Sequence, residues 1–172
     1  TLVLYTKTEE EFKEHFEVMK SDIRRYNALF DIYNDYDGVN NLKMINDNAG
    51  IKPIEVDPLI IELLEESRGW ADKTDNLFDP TLGAVLKIWH EAREKGMELN
   101  REGKFGPSPS QEELEDANQY VGFEYLEIDK EASTVYLNHE RASLDVGAIA
   151  KGWAVEKAAQ TLEQRGITSG IV

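Results

Sequence analysis

Apolar side chains at Phe12, Phe16, Met19, Ile23, Tyr26 and Phe30 return every three or four positions, with charged residues between them. A 3.6-residue repeat puts such positions on one face, so the spacing predicts one long amphipathic helix over residues 9 to 30. Thr8 supplies its N-cap, and Glu11 three residues on completes a capping-box pattern. Ahead of the helix, "TLVLYT" is a β-branched and apolar run that reads as a strand. Behind it, "DIYNDYDGVNNLKMINDNAGIKP" is so rich in Asn, Asp and Gly that it reads as a long loop with a helical turn around Asn41 to Asn46. Loops of that length inside a domain are usually functional.

A short strand near Ile54 to Val56 leads into "DPLIIELLEESRGWADKT", where Asp57 is a ready N-cap and Pro58 suits the first helical position. "FDPTLGAVLKIWHEAREKG" offers Asp then Pro again. That places a helix start at Asp79, an apolar stripe at Val85, Leu86 and Trp89, and a stop at Gly96. Ser110 and Glu113 form a capping box for a helix running to about Tyr120. "YLEIDKEASTVYLN" alternates apolar and polar on both sides of a polar turn and predicts a hairpin. In "LDVGAIAKGWAVEKAAQTLEQRGI" the helix buries Val155, Ala158, Ala159 and Leu162, and Gly166 closes it. The last residues, "ITSGIV", are strand-like.

Composition narrows the partners. Asp plus Glu number 34 against 19 Lys plus Arg, a formal net charge of -15 that repels nucleic-acid phosphates and anionic membranes. A hydrophobic content of 41% is that of a folded protein, so the acidity belongs to a solvated surface and not to a disordered acidic tail. The absence of cysteine excludes disulfides, zinc thiolates and thiol nucleophiles.

Against that acidic background Lys151 stands out, because it falls in the first turn of the last helix, where the macrodipole disfavours a cation by about 0.3–1 kcal/mol. The exposed N–H groups of a helix start make an anion site, and a lysine beside them reinforces binding of phosphate or pyrophosphate. Asp145 can bond a ligand hydroxyl or ring nitrogen, and Gly147 lets backbone approach a ligand closely. The same residues also read as a helix cap, a tight strand-to-helix turn and a surface lysine. The spacing is not that of a P-loop. Asp79 is a second candidate, with helix capping as its plain alternative, and Tyr33 can stack on a planar ring or simply pack. His15, His90 and His139 have no partner at metal-ligand or triad spacing, and Ser143 lacks a nucleophile-elbow context.

Taken together and in order, "ALFDIYNDYDGVNNLKMIN", "LFDPTLGAVLKIW" and "LDVGAIAKGWAVEKAAQTLEQRGI" resemble the ApbE family, the FAD:protein FMN transferases. The resemblance implies an α+β fold of helices on a mainly antiparallel sheet, with residues 1 to 172 forming the N-terminal portion of one flavin transferase domain. It implies magnesium-dependent transfer of FMN from FAD to a serine or threonine of an acceptor of the Nqr or Rnf redox-pump type, releasing AMP. A non-catalytic FAD-binding protein and a magnesium-dependent FAD pyrophosphatase giving FMN and AMP are the alternatives.

Carried over position by position, the resemblance makes Tyr33, Leu77, Phe78, Asp79, Asp145 and Lys151 FAD-binding residues. It makes the backbone carbonyl of Ala148 a magnesium ligand. It leaves the remaining metal ligands outside these residues, so that the chain alone is expected to be inactive, and it implies an extracytoplasmic lipoprotein anchored by a segment absent here. Asp31 stands where many relatives have a small hydroxyl residue, and Trp153 where tyrosine is commoner.

Overall fold

The first helix forms where its periodicity puts it. In a computed structural model that describes residues 2–172, α1 spans Glu9–Phe30. Thr8 Oγ1 accepts from Glu11 N–H, while the Glu11 carboxylate reaches one residue further back to Lys7 N–H at 2.8 Å. The buried face is turned from the predicted one. His15, Met19, Tyr26 and Leu29 are inside, whereas Phe16 and Ile23 are exposed. The last helix, α6 (Ala150–Gln164), lies across this face. Its Trp153 meets Tyr26 and Phe30 edge-on, with ring centroids 5.5 and 5.3 Å apart, which is the favoured geometry for aromatic pairs.

The Asn-rich loop carries α2 (Leu42–Asp47), capped by the Asn41 side chain at Met44 N–H. After β2 (Ile54–Glu55), α3 (Pro58–Lys73) begins as predicted with Asp57 as N-cap and Pro58 in the first turn. It buries Ile60, Leu63 and Leu64 in the main core. The hairpin is β3 (Leu126–Asp129) and β4 (Thr134–Leu137). β4 is central in an antiparallel sheet ordered β2-β4-β3, with Ile128 opposite Val135. Val135 and Leu137 face the core. A second antiparallel pair joins β1 (Val3–Leu4) to β5 (Gly170–Ile171). The predicted first strand therefore shrinks to its middle, and its Thr1 lies outside the described residues. No helix among the described residues is long and apolar enough to cross a membrane.

Three helix ends differ from the sequence expectation. α4 spans Gly83–Arg101, so Asp79 is not its cap and Pro80 is not its first residue. Residues 79 to 82 form a turn instead, closed by Leu82 N–H on Asp79 C=O and tied across by Asp145 N–H on Pro80 C=O and a parallel bridge from Leu82 to Ser143. α4 also runs through Gly96, where an interior glycine costs about 1 kcal/mol and the good helix formers Met97, Glu98 and Leu99 follow. α5 (Gln111–Asn118) has both halves of its capping box and ends just short of Tyr120. In α6 the residue before the helix is Ile149, with no side-chain cap, so Asp145 is not a cap either. Val155 is exposed where burial was predicted, and Trp153 takes its place inside. Gly166 does close the chain end of α6, at φ 89°, a left-handed conformation glycine adopts without strain.

Candidate functional site

Two segments more than 60 residues apart in sequence lie side by side. Asp145 N–H donates to Pro80 C=O at 2.8 Å, and Leu82 and Ser143 form an isolated parallel bridge. Gly83 permits this closeness. A Cβ at Gly83 would lie 2.6 Å from the Ser143 carbonyl carbon, inside van der Waals contact with backbone that has nowhere to go. Asn46 fastens the strand from its other side, its amide donating to Leu144 C=O at 3.0 Å and its carbonyl accepting Leu144 N–H at 2.8 Å. Leu144 is completely buried, so these two bonds satisfy groups that water cannot reach.

Asp79 is anchored within its own turn. Its Oδ1 accepts from both Thr81 N–H and Thr81 Oγ1 at 2.7 Å, and the same buried hydroxyl accepts Gly122 N–H. Leu77 and Phe78 sit on the turn leading in, after Asp75 and Asn76 at φ 50° and 58°. Leu77 is 89% exposed, a large apolar side chain held in water.

On the other segment Asp145 Oδ1 accepts Gly147 N–H at 2.8 Å, which folds residues 145 to 147 into a tight turn. Helix side chains lean toward their own N-terminus. Lys151 accordingly reaches back over this turn, where its Nζ donates to Gly147 C=O at 3.3 Å. Ala148 is exposed between them. The cation is thus placed at the turn that opens α6, where the N–H groups of Gly147, Ile149 and Ala150 already bond within the turn and Lys151 is the exposed positive group.

Tyr33 comes from the Asn-rich loop. Asp31 organises that loop by accepting from Tyr33 N–H at 2.7 Å, from the N–H and side chain of Asn34, and from the Tyr36 hydroxyl. Burial works against ionising the Asp31 carboxyl, but these hydrogen bonds more than offset it and hold it below the usual carboxylate range. For the Tyr33 phenol, burial and then the negative charge of Asp145 push its pKa up, so the hydroxyl stays a donor.

Tyr33 and Asp145 line one cavity of about 580 Å³, together with Asn46, Gly83, His90 and Arg141. Among the other predicted residues, Leu77, Phe78 and Asp79 are outside its lining, Asp79 preceding the Pro80 whose carbonyl bonds Asp145, and Ala148 and Lys151 lie on the turn beyond Asp145. Asp47, Glu91, Glu140 and Asp145 outnumber Lys87 and Arg141 on its wall, and Arg141 is already paired with Asp116 at 2.5 Å. The cavity therefore suits an uncharged planar group better than a pyrophosphate, which the Lys151 turn favours. Among the described residues no three or more carboxylate or imidazole groups are placed so as to hold a metal ion together. The exposed Ala148 carbonyl falls far short of the about six oxygens magnesium prefers, so these residues alone do not make a magnesium site.

Sequence reasoning assigned no site role to Asn46, Gly83, Asp31 or His90. Asn46 finds its partner 98 residues away, and nothing local announces that. His90 carried one signal, its place seven residues after Gly83 on the same helical face.

The fold and site define an α+β protein in which an aromatic loop and Asp145 line one cleft, with an Asp-Pro turn and a lysine-bearing helix start adjoining Asp145. The ApbE family's sequence profile matches residues 1–172. The chain belongs to the ApbE family. It is 29% identical to the FAD:protein FMN transferase of Treponema pallidum over 136 residues, 76% of this chain and 35% of that protein. It is 28% identical to that of Haemophilus influenzae over 162 residues, 92% of this chain and 43% of that protein. Among solved structures, the ApbE protein of Thermotoga maritima superposes with a TM-score of 0.70 at 30% identity, covering 92% of this chain and 46% of its own. A variant of the Vibrio cholerae flavin transferase ApbE superposes at 0.79 and 20% identity, covering 98% and 54%. The chain spans about half the length, or less, of the relatives it matches.

Proposed function

We propose that this chain contributes the FAD site of an FAD:protein FMN transferase. The observation that carries the reading is the meeting of "FDPTLG" with "LDVGAIAK" at the Pro80–Asp145 hydrogen bond, which sets an aromatic cavity beside a cationic helix start. Tyr33 flanks the flavin ring, Asp145 bonds a polar edge of the ligand, and Lys151 with the N–H groups opening α6 holds the pyrophosphate. Asp79, Phe78 and Leu77 line the approach. In the whole protein the reaction is magnesium-dependent transfer of FMN to a serine or threonine of an acceptor of Nqr or Rnf type, releasing AMP, carried out by an extracytoplasmic, membrane-anchored lipoprotein. Magnesium, when bound, supplies electrostatic stabilisation of the pyrophosphate, with the Ala148 carbonyl as one ligand. The chain on its own is expected to be inactive in transfer.

The test is to incubate the natural full-length gene product with FAD, magnesium and an acceptor subunit, and to look by mass spectrometry for an FMN adduct on a serine or threonine. An adduct with stoichiometric AMP supports transfer. Free FMN with AMP and no adduct points to hydrolysis, and intact FAD retained on the protein points to binding alone.

A further inference from the structure

Tyr33 and His90 stack, with ring centroids 4.9 Å apart and planes inclined at 29°. They come from elements with no sequence proximity, the loop after α1 and the second turn of α4, and both line the 580 Å³ cavity beside Asp145. The His90 ring is itself fixed. Arg93 lies three residues on, and its guanidinium is 2.9 Å from His90 Nδ1; a guanidinium can only donate, so Nδ1 accepts. The axial setting of His90 is fixed too, because Gly83, Lys87 and His90 share the face of α4 that lines the cavity, and Gly83 is pressed against the Ser143–Leu144 backbone.

The loop hydrogen bonds to Asp31 hold the Tyr33 backbone but not its ring. Among the described residues the aromatic side chain that meets the Tyr33 ring is His90. Tyr33 remains 56% exposed although His90 lies against it, as expected of a ring with one face covered and the other open.

We infer that His90 is a positioning residue: it backs the Tyr33 ring, so that the open face of Tyr33 is presented to the cavity as a rigid platform for a planar heteroaromatic ring. This rests on the reading of the cavity as the flavin side of the FAD site. A platform held in place loses less side-chain freedom when a ligand stacks on it, so the backing residue acts through ligand affinity and not through contact with the reacting atoms. Aromatic pairs of this kind contribute enough for His90→Ala to weaken ring binding roughly 3- to 10-fold.

The experiment titrates the natural full-length gene product with riboflavin, which has the ring and no phosphate, and with ADP, which has the pyrophosphate and no flavin. Variants are Tyr33→Ala, His90→Ala, His90→Phe and the double alanine variant, each checked for folding by circular dichroism. The expected result is weaker riboflavin binding in His90→Ala, recovery to within about twofold in His90→Phe, and no further loss when His90→Ala is added to Tyr33→Ala. ADP binding stays at the wild-type value throughout. Wild-type riboflavin affinity in His90→Ala, with binding lost in Tyr33→Ala, overturns the inference and leaves the flavin reading standing. Unchanged riboflavin binding in Tyr33→Ala overturns both. Equal loss of riboflavin and ADP in His90→Ala shows a general structural role and also overturns it.

Discussion

Asp31 shows how one carboxylate can organise a loop that carries a site. It accepts from Tyr33, Asn34 and Tyr36, and its acidity is raised by those bonds against the opposing effect of burial. A carboxyl whose folded-state pKa lies below its unfolded value contributes stability that is fully present above the unfolded value, about pH 4, and is lost as pH falls through the folded value. Asp31→Asn is therefore expected to destabilise the protein by about 1–2 kcal/mol at pH 7. Urea unfolding at pH 7 and at pH 3 should show that difference shrinking on acidification. Lys151 acts differently, since it is exposed and its contact with Gly147 is long. Lys151→Ala is expected to lower FAD affinity about 10- to 150-fold through loss of a charge-assisted bond. The same variant leaves thermal melting of the ligand-free protein unchanged or slightly higher, because a cation leaves the positive end of α6 and alanine is the better helix former. Of these two residues, Lys151 was legible because it breaks a local rule. Asp31 was not legible as a loop organiser, because its partners are set by how the loop folds back.

Among the elements, helices announced themselves wherever caps and periodicity agreed. Thr8, Asp57 and Ser110 each sit at the cap their sequence context assigns. The miss at α4 is instructive, because Asp-Pro is a good local start signal and was overridden by tertiary pairing of residues 80 to 82 with 143 to 145. Local chemistry cannot report a partner that distant. Gly83 is the residue that allows the pairing, so Gly83→Ala should cost about 1–3 kcal/mol and also weaken riboflavin binding by shifting α4. Chemical denaturation and the riboflavin titration on one preparation check both. At the α1–α6 contact, Trp153→Ala should cost about 3–5 kcal/mol, since the indole is buried against Tyr26 and Phe30.

For the whole molecule, charge and topology act together. A net charge of -15 continues onto the cavity wall, where carboxylates outnumber cations, so the Lys151 turn suits an anion better than the cavity does. On the proposed reading, that arrangement sorts an asymmetric ligand with a neutral ring and an anionic linker: ring to Tyr33, phosphates to α6. The family was legible in the three segments that carry the proposed site residues. The cavity joining them was not, since it depends on Asn46 and Gly83 fastening strands from opposite sides. The most direct measurement is a crystal structure of the natural full-length gene product with FAD. The account predicts the isoalloxazine against the open face of Tyr33 and the pyrophosphate within hydrogen-bond reach of Lys151 and the first N–H groups of α6. FAD bound elsewhere, such as in the groove beside the Arg25–Asp57 ion pair, or with its pyrophosphate remote from Lys151, would contradict it.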